Sequence, residues 1–128
     1  MLISFENVKR KKLQDLVSDV MNFGSQRLFP RHKNIFINII RIRNQGVNGD
    51  CMHEDDRDFT IRFDGSLSPL EIITTLFHEL VHVNQYLRKV DMSTDLPYYE
   101  RPFEQEAYRI EKELTEAFYA ERGEQIVR

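Results

Sequence analysis

Apolar residues recur at helical spacing in three stretches of the chain and alternate at strand spacing in two others. Over residues 5–23, Leu13, Leu16, Val17, Val20 and Phe23 fall three or four apart, which predicts a helix stopped by Gly24. Residues 30–34 read as a connector. The run IFINIIRIR at 35–43 is rich in β-branched residues and ends in an Ile/Arg alternation, which predicts a strand with one well-buried face. Phe59-Thr-Ile-Arg-Phe63 alternates cleanly and predicts a half-exposed strand closed by a turn at Asp64-Gly65. Residues 44–58 between them are polar, with Asn48-Gly49 as a tight turn. Any strand there, over 50–53, is expected to be short and at a sheet edge.

Ser68-Pro-Leu-Glu71 combines a capping box with proline at the first helical position, so a second helix starts at 68 and is expected to run to about residue 89. At roughly 100° per residue, Ile73, Leu76, Phe77, Leu80, Val83 and Leu87 form its apolar stripe, while His78, His82, Glu71, Thr75 and Gln85 fall on the other side. A loop over 91–101 carries Pro97, Tyr98 and Tyr99. Pro102 then opens a last helix with Phe103, Ala107, Ile110, Leu114 and Phe118 as its buried stripe, ending before Gly123. The order of one helix, two or three strands and two helices describes a single α+β domain over residues 1–128.

Composition narrows the class. A hydrophobic share of 41% with 30% charged residues is that of a globular chain, and no apolar run approaches the ~20 residues that span a bilayer. The net charge of -3 is uneven: residues 1–67 hold 11 basic and 9 acidic side chains, residues 68–128 hold 7 and 12, so the second half carries the potential that attracts a cation. The run Lys9-Arg-Lys-Lys12 has no second basic cluster and no interleaved aromatics, so no nucleic-acid partner is expected. Cys51 is the sole cysteine, which forbids an internal disulfide and, with no apolar leader, predicts a cytoplasmic protein; the sequence does not fix the oligomeric state, and a monomer is expected.

The chemistry concentrates in Thr74-Thr-Leu-Phe-His-Glu-Leu-Val-His-Val-Asn-Gln-Tyr86. Four residues apart on one helix, His78 and His82 sit one turn apart on the same face, which is the spacing of two ligands to a single Zn2+ ion. Glu79 stands beside them, placed to take a proton from a water rather than to ligate. Catalytic zinc sites use three protein ligands, so a third must come from elsewhere, with Cys51, His53, Glu104 and Glu106 as candidates. Glu104 and Glu106, two residues apart, diverge by roughly 200° around their helix, so only one of them faces the histidines.

The HExxH stretch resembles the active-site helix of the zincin metallopeptidases. Together with Arg101-Pro-Phe-Glu104-Gln-Glu-Ala107 it is similar to their glutamate-liganded branch, the gluzincins, and in size to the minigluzincins and the small SprT-like proteins of bacteria and phages. Asn84 departs from the longer pattern, standing where an apolar residue is usual. The resemblance implies a zincin-like fold and hydrolysis of peptide bonds in a protein or peptide, with Glu79 as general base. It also implies a glutamate of the last helix as third ligand. The Arg-x-x-Glu-x-x-Ala pattern selects Glu104, with Tyr108 four residues on supporting a histidine, whereas the thermolysin-like placement before an alanine selects Glu106. Tyr98, Tyr99 and Arg101 are candidates to stabilise the oxyanion. The alternative function is a non-catalytic zinc-binding interaction protein, and Glu79 separates the two, since a purely structural site has no use for a carboxylate there.

Overall fold

The computed structural model of the protein describes residues 1–43 and 46–124. It holds three helices and a four-stranded sheet: β1 (Leu2–Glu6), α1 (Lys11–Leu28), β2 (Phe36–Ile42), β3 (Gly49–Asp55), β4 (Asp58–Asp64), α2 (Pro69–Leu87) and α3 (Pro102–Glu121). The class is therefore mixed α+β, with one strand more than the sequence pattern predicts.

That extra strand is β1. Its five residues alternate, Ile3 and Phe5 half-buried between exposed Leu2, Ser4 and Glu6, but a period of two over so short a run merges into the helical pattern that follows. Asn7, at φ 61°, ends the strand, and the helix begins only at Lys11. Nor does Gly24 stop α1. It lies buried inside the helix, where an added Cβ would come 2.7 Å from Leu80 Cδ1 and 3.2 Å from the Phe77 ring. Glycine here permits close approach of two helices. The chain leaves the helix at Phe29, before Pro30, which disfavours helical geometry in the residue preceding it. Gly24→Val is expected to overpack this crossing and lower stability by about 1–3 kcal/mol, read as a fall in the urea midpoint at constant m-value.

The sheet order is β1-β2-β4-β3, parallel between β1, β2 and β4, and antiparallel between β3 and β4. β3 is the expected edge strand, but it is seven residues long, and Asn48-Gly49 leads into it rather than forming the hairpin turn, which lies at Asp56-Arg57. One sheet face, with Ile37, Ile39, Phe59, Ile61 and Phe63, joins Val17, Val20 and Met21 of α1, Ile73, Leu76, Phe77 and Leu80 of α2, and Leu114 and Phe118 of α3 in one core. The other face is tied by polar pairs: Ser4 Oγ donates to Asn38 Oδ1 at 2.9 Å, and Arg62 pairs with Asp50.

α2 starts as its sequence predicts. Ser68 Oγ accepts from the Glu71 amide and Glu71 Oε1 from the Ser68 amide, with Pro69 at the first position. The histidines lie opposite the apolar stripe as expected, and what they face is α3, which buries His78, His82 and Gln85, while Thr75 is buried beside Gly49 of β3. On α3, Ala107, Leu114 and Phe118 are buried as expected, while Phe103 and Ile110 are only half-buried and Glu104 and Thr115 join the buried face. None of the described helices is long and apolar enough to cross a membrane.

Candidate metal centre

Packing α3 across α2 sets three side chains around one point. The Nε2 atoms of His78 and His82 lie 2.9 and 3.1 Å from the same oxygen, Glu104 Oε1, and all three residues are buried. Their donor atoms lie within 4.8 Å of one another, so the group could hold a metal ion. The outer nitrogens are also engaged: His78 Nδ1–H donates to Glu111 Oε1 at 3.0 Å, and His82 Nδ1–H donates to Gln85 Oε1 at 2.7 Å. A neutral imidazole has a single N–H, so spending it outward leaves the Nε2 lone pair facing inward.

Two inward lone pairs and a carboxylate oxygen about 3 Å apart repel unless positive charge sits among them. Considered as protein groups alone, the set answers this by taking up protons. Burial pulls the His78 pKa down, but hydrogen bonds to Glu104 and Glu111 outweigh it and carry the ring up to about 9. The His82 pKa is also raised, burial being outweighed by bonds to Glu104 and Gln85. Burial pushes Glu104 up, yet the two histidines hold its carboxyl well below the usual range. A divalent cation satisfies the same arrangement without protons. Two imidazole nitrogens and one carboxylate form a donor set typical of catalytic zinc, whose ligand atoms, at ~2.0–2.1 Å from the ion, stand about 3.3 Å apart in a tetrahedron.

The triad forms the floor of a cleft of about 710 Å³ between the β3 edge, α2 and the tyrosine-bearing segment before α3. Glu79, Glu104 and Glu111 line it, which favours a cation, while Asp50, also in the lining, is paired with Arg62. Glu79 is buried there. Burial pushes its carboxyl up to about 7, against the pull of His78 and His82. Such a value suits a group that must accept and return a proton near neutral pH.

The two tyrosines that sequence left equivalent are now distinct. Tyr98, in a short 3-10 turn, donates its hydroxyl to Glu104 Oε1 at 3.1 Å. Tyr99 is 74% exposed and packs its ring on Tyr98 and Tyr108. Arg101 lies over the Tyr98 ring and donates to the Leu96 carbonyl, bracing the loop rather than lining the cleft. Glu106 turns away from the triad, accepting from Gln85 Nε2 at 2.9 Å and Arg88 Nη2 at 2.6 Å.

Neither Cys51 nor His53 joins the triad, the one such group among the described residues. Cys51 faces the cleft with its thiol pushed well up by burial and by the charges of Glu79 and Asp50. His53 packs against the rings of Phe59 and Tyr86, which also contact each other.

Tyr108 does not support a histidine through its hydroxyl. Its ring lies 4.6 Å from that of His78, and Glu111 holds the histidine instead. Glu111 stands seven residues after Glu104, two turns along the same face, and this spacing could have found it. Gln85 carries a weaker signal, as a polar residue one turn beyond His82 on the same side. Comparison of the chain with protein-family models, curated proteins and solved structures yields no match.

Proposed function

We propose that the protein is a zinc-dependent metallopeptidase with His78, His82 and Glu104 as ligands and Glu79 as general base. The observation that carries this reading is the pairing of a buried two-histidine, one-glutamate donor set with a second buried carboxylate, Glu79, in the same cleft. The resemblance of the HExxH and Arg-x-x-Glu-x-x-Ala segments to the gluzincins supports it, as does the delivery of two histidines by one helix and the glutamate by the next. A zinc ion there would supply Lewis acidity, polarising a peptide carbonyl and lowering the pKa of a water to ~7.

The chain's own residues then divide the remaining work. Glu79 takes the proton of the attacking water and passes it to the leaving amine nitrogen, so the carboxylate is regenerated in each cycle. Tyr98, whose one hydroxyl hydrogen is given to Glu104 Oε1, would turn that hydrogen from the carboxylate to the carbonyl oxygen as negative charge builds on it. Glu111 and Gln85 hold the two imidazoles in ligating orientation. The cleft is open along the β3 edge and the exposed tyrosines, so an extended peptide has room to enter.

The purified protein is expected to carry about one zinc per chain by elemental analysis and to cleave an unfolded protein such as casein. Cleavage stops with a chelator and returns on adding zinc. Stoichiometric zinc with no cleavage across a broad peptide library would favour the non-catalytic binding protein, and absence of zinc binding would remove both readings.

A further inference from the structure

Gln85 is fully buried on α2, and its amide is held from two sides by α3. The amide nitrogen lies 2.9 Å from the Phe103 carbonyl oxygen and 2.9 Å from Glu106 Oε1. A carbonyl and an ionised carboxylate only accept hydrogen bonds, so the group facing them must be the NH2. A flipped amide would set its oxygen against two acceptors. The Gln85 oxygen is thereby turned to His82 Nδ1, 2.7 Å away, and an amide oxygen also only accepts, so the hydrogen of the ring stays on Nδ1. Nε2 then faces Glu104 with its lone pair. His78 has a carboxylate, Glu111, in the equivalent place, which accepts whichever way it is turned. An amide does not, and this is why Gln85 needs holders.

We infer that Gln85 is a positioning residue that sets the tautomer of His82, and that Glu106 and the Phe103 carbonyl lock it in the orientation that does so. The inference rests on the metal-centre reading above and extends it. α3 brings Glu104 and both acceptors of Gln85 together, so seating this helix supplies one ligand and prepares another in a single packing event. Glu106, which sequence offers as a ligand, acts two hydrogen bonds away from the centre. Arg88 Nη2, at 2.6 Å, keeps its carboxylate charged and in place.

The test compares Gln85→Met, which keeps length and apolar bulk but no acceptor, with Glu106→Leu and the conservative Glu106→Gln, whose amide oxygen can still accept. Zinc affinity is measured by competition with a chromophoric chelator. The His82 ring nitrogens are read by 15N NMR in zinc-loaded and chelated protein, and thermal unfolding of the chelated protein controls for fold. Gln85→Met is expected to lower zinc affinity ~10–100-fold and to lose the exchange-protected proton on His82 Nδ1. Glu106→Leu moves both readouts the same way by a smaller factor, and Glu106→Gln restores them.

The proposal is overturned if a folded Gln85→Met binds zinc within about twofold of wild type, or if zinc-loaded wild type carries the His82 proton on Nε2. Should Gln85→Met fail to fold, Glu106→Leu, at a half-exposed position, decides by the same two readouts. If wild type takes up no zinc, the metallopeptidase reading falls, and the tautomer of the neutral His82 ring, read in the metal-free protein at a pH above its raised pKa, decides alone. A proton on Nδ1 in wild type that moves to Nε2 in the variants supports the positioning role, and one that stays on Nδ1 in them overturns it.

Discussion

Glu104→Ala is expected to abolish zinc uptake at micromolar metal, taking the content from about one ion per chain to near none. The same change at Glu106 should cost at most about tenfold in affinity. The two glutamates are two residues apart, yet Glu104 Oε1 stands 2.9 and 3.1 Å from the two inward nitrogens whereas Glu106 is bonded to Gln85 and Arg88. His78→Ala and His82→Ala should behave like Glu104→Ala. Each leaves the two remaining donors without the third that a catalytic zinc site requires. Elemental analysis after dialysis against micromolar zinc checks all four variants. Stoichiometric metal in Glu104→Ala, or its loss from Glu106→Ala, would reverse the assignment.

Glu79→Gln is expected to keep zinc and fold while losing ~10²–10⁴ of the hydrolytic rate, because the amide preserves shape but cannot take a proton. In wild type the acid limb of kcat/KM should fall at or below pH 7. Burial lifts this carboxyl to about 7, the neighbouring histidines pull it down, and a bound cation pulls in the same direction. Undiminished turnover in Glu79→Gln would remove Glu79 as the base.

The same substitution should stabilise the chelated protein. A carboxyl whose folded pKa, about 7, exceeds its unfolded value near 4.5 favours the folded state below the lower value and loses that contribution as pH rises through the higher one. The gain in melting temperature of Glu79→Gln over wild type should therefore be absent below about pH 4.5, grow between the two values and level off above about 7. On the proposed reading Glu79 is kept at the expense of stability, since a neutral side chain would sit more comfortably in the same burial.

What the sequence determined by itself is whatever depends on neighbours within about two helical turns. The start of α2 was legible because Ser68, Pro69 and Glu71 satisfy the first amides of the helix locally. The shared face of His78 and His82 follows from their four-residue spacing, and the alternation in β2 from the pleat of a strand, whereas β4, expected to be half-exposed, lies between β2 and β3 and buries Thr60 and Asp64 as well as Phe59, Ile61 and Phe63. Even the divergence of Glu104 from Glu106 is a property of one helix.

Tertiary structure decided the rest. Gly24 reads as a helix stop only while the crossing with Leu80 and Phe77 is out of view. β1 and the full length of β3 exist because β2 and β4 offer them ladder partners, which no five- or seven-residue window contains. The histidine face of α2 is buried because α3 lies on it, and that packing also separates Tyr98 from Tyr99 and brings Glu104, Glu106 and Glu111 to their different partners. The bonds of these three glutamates to α2 and Arg88 span 18 to 33 residues of chain. They form because burying the faces of two amphipathic helices together stabilises both, and a face records that it must be covered without recording by what.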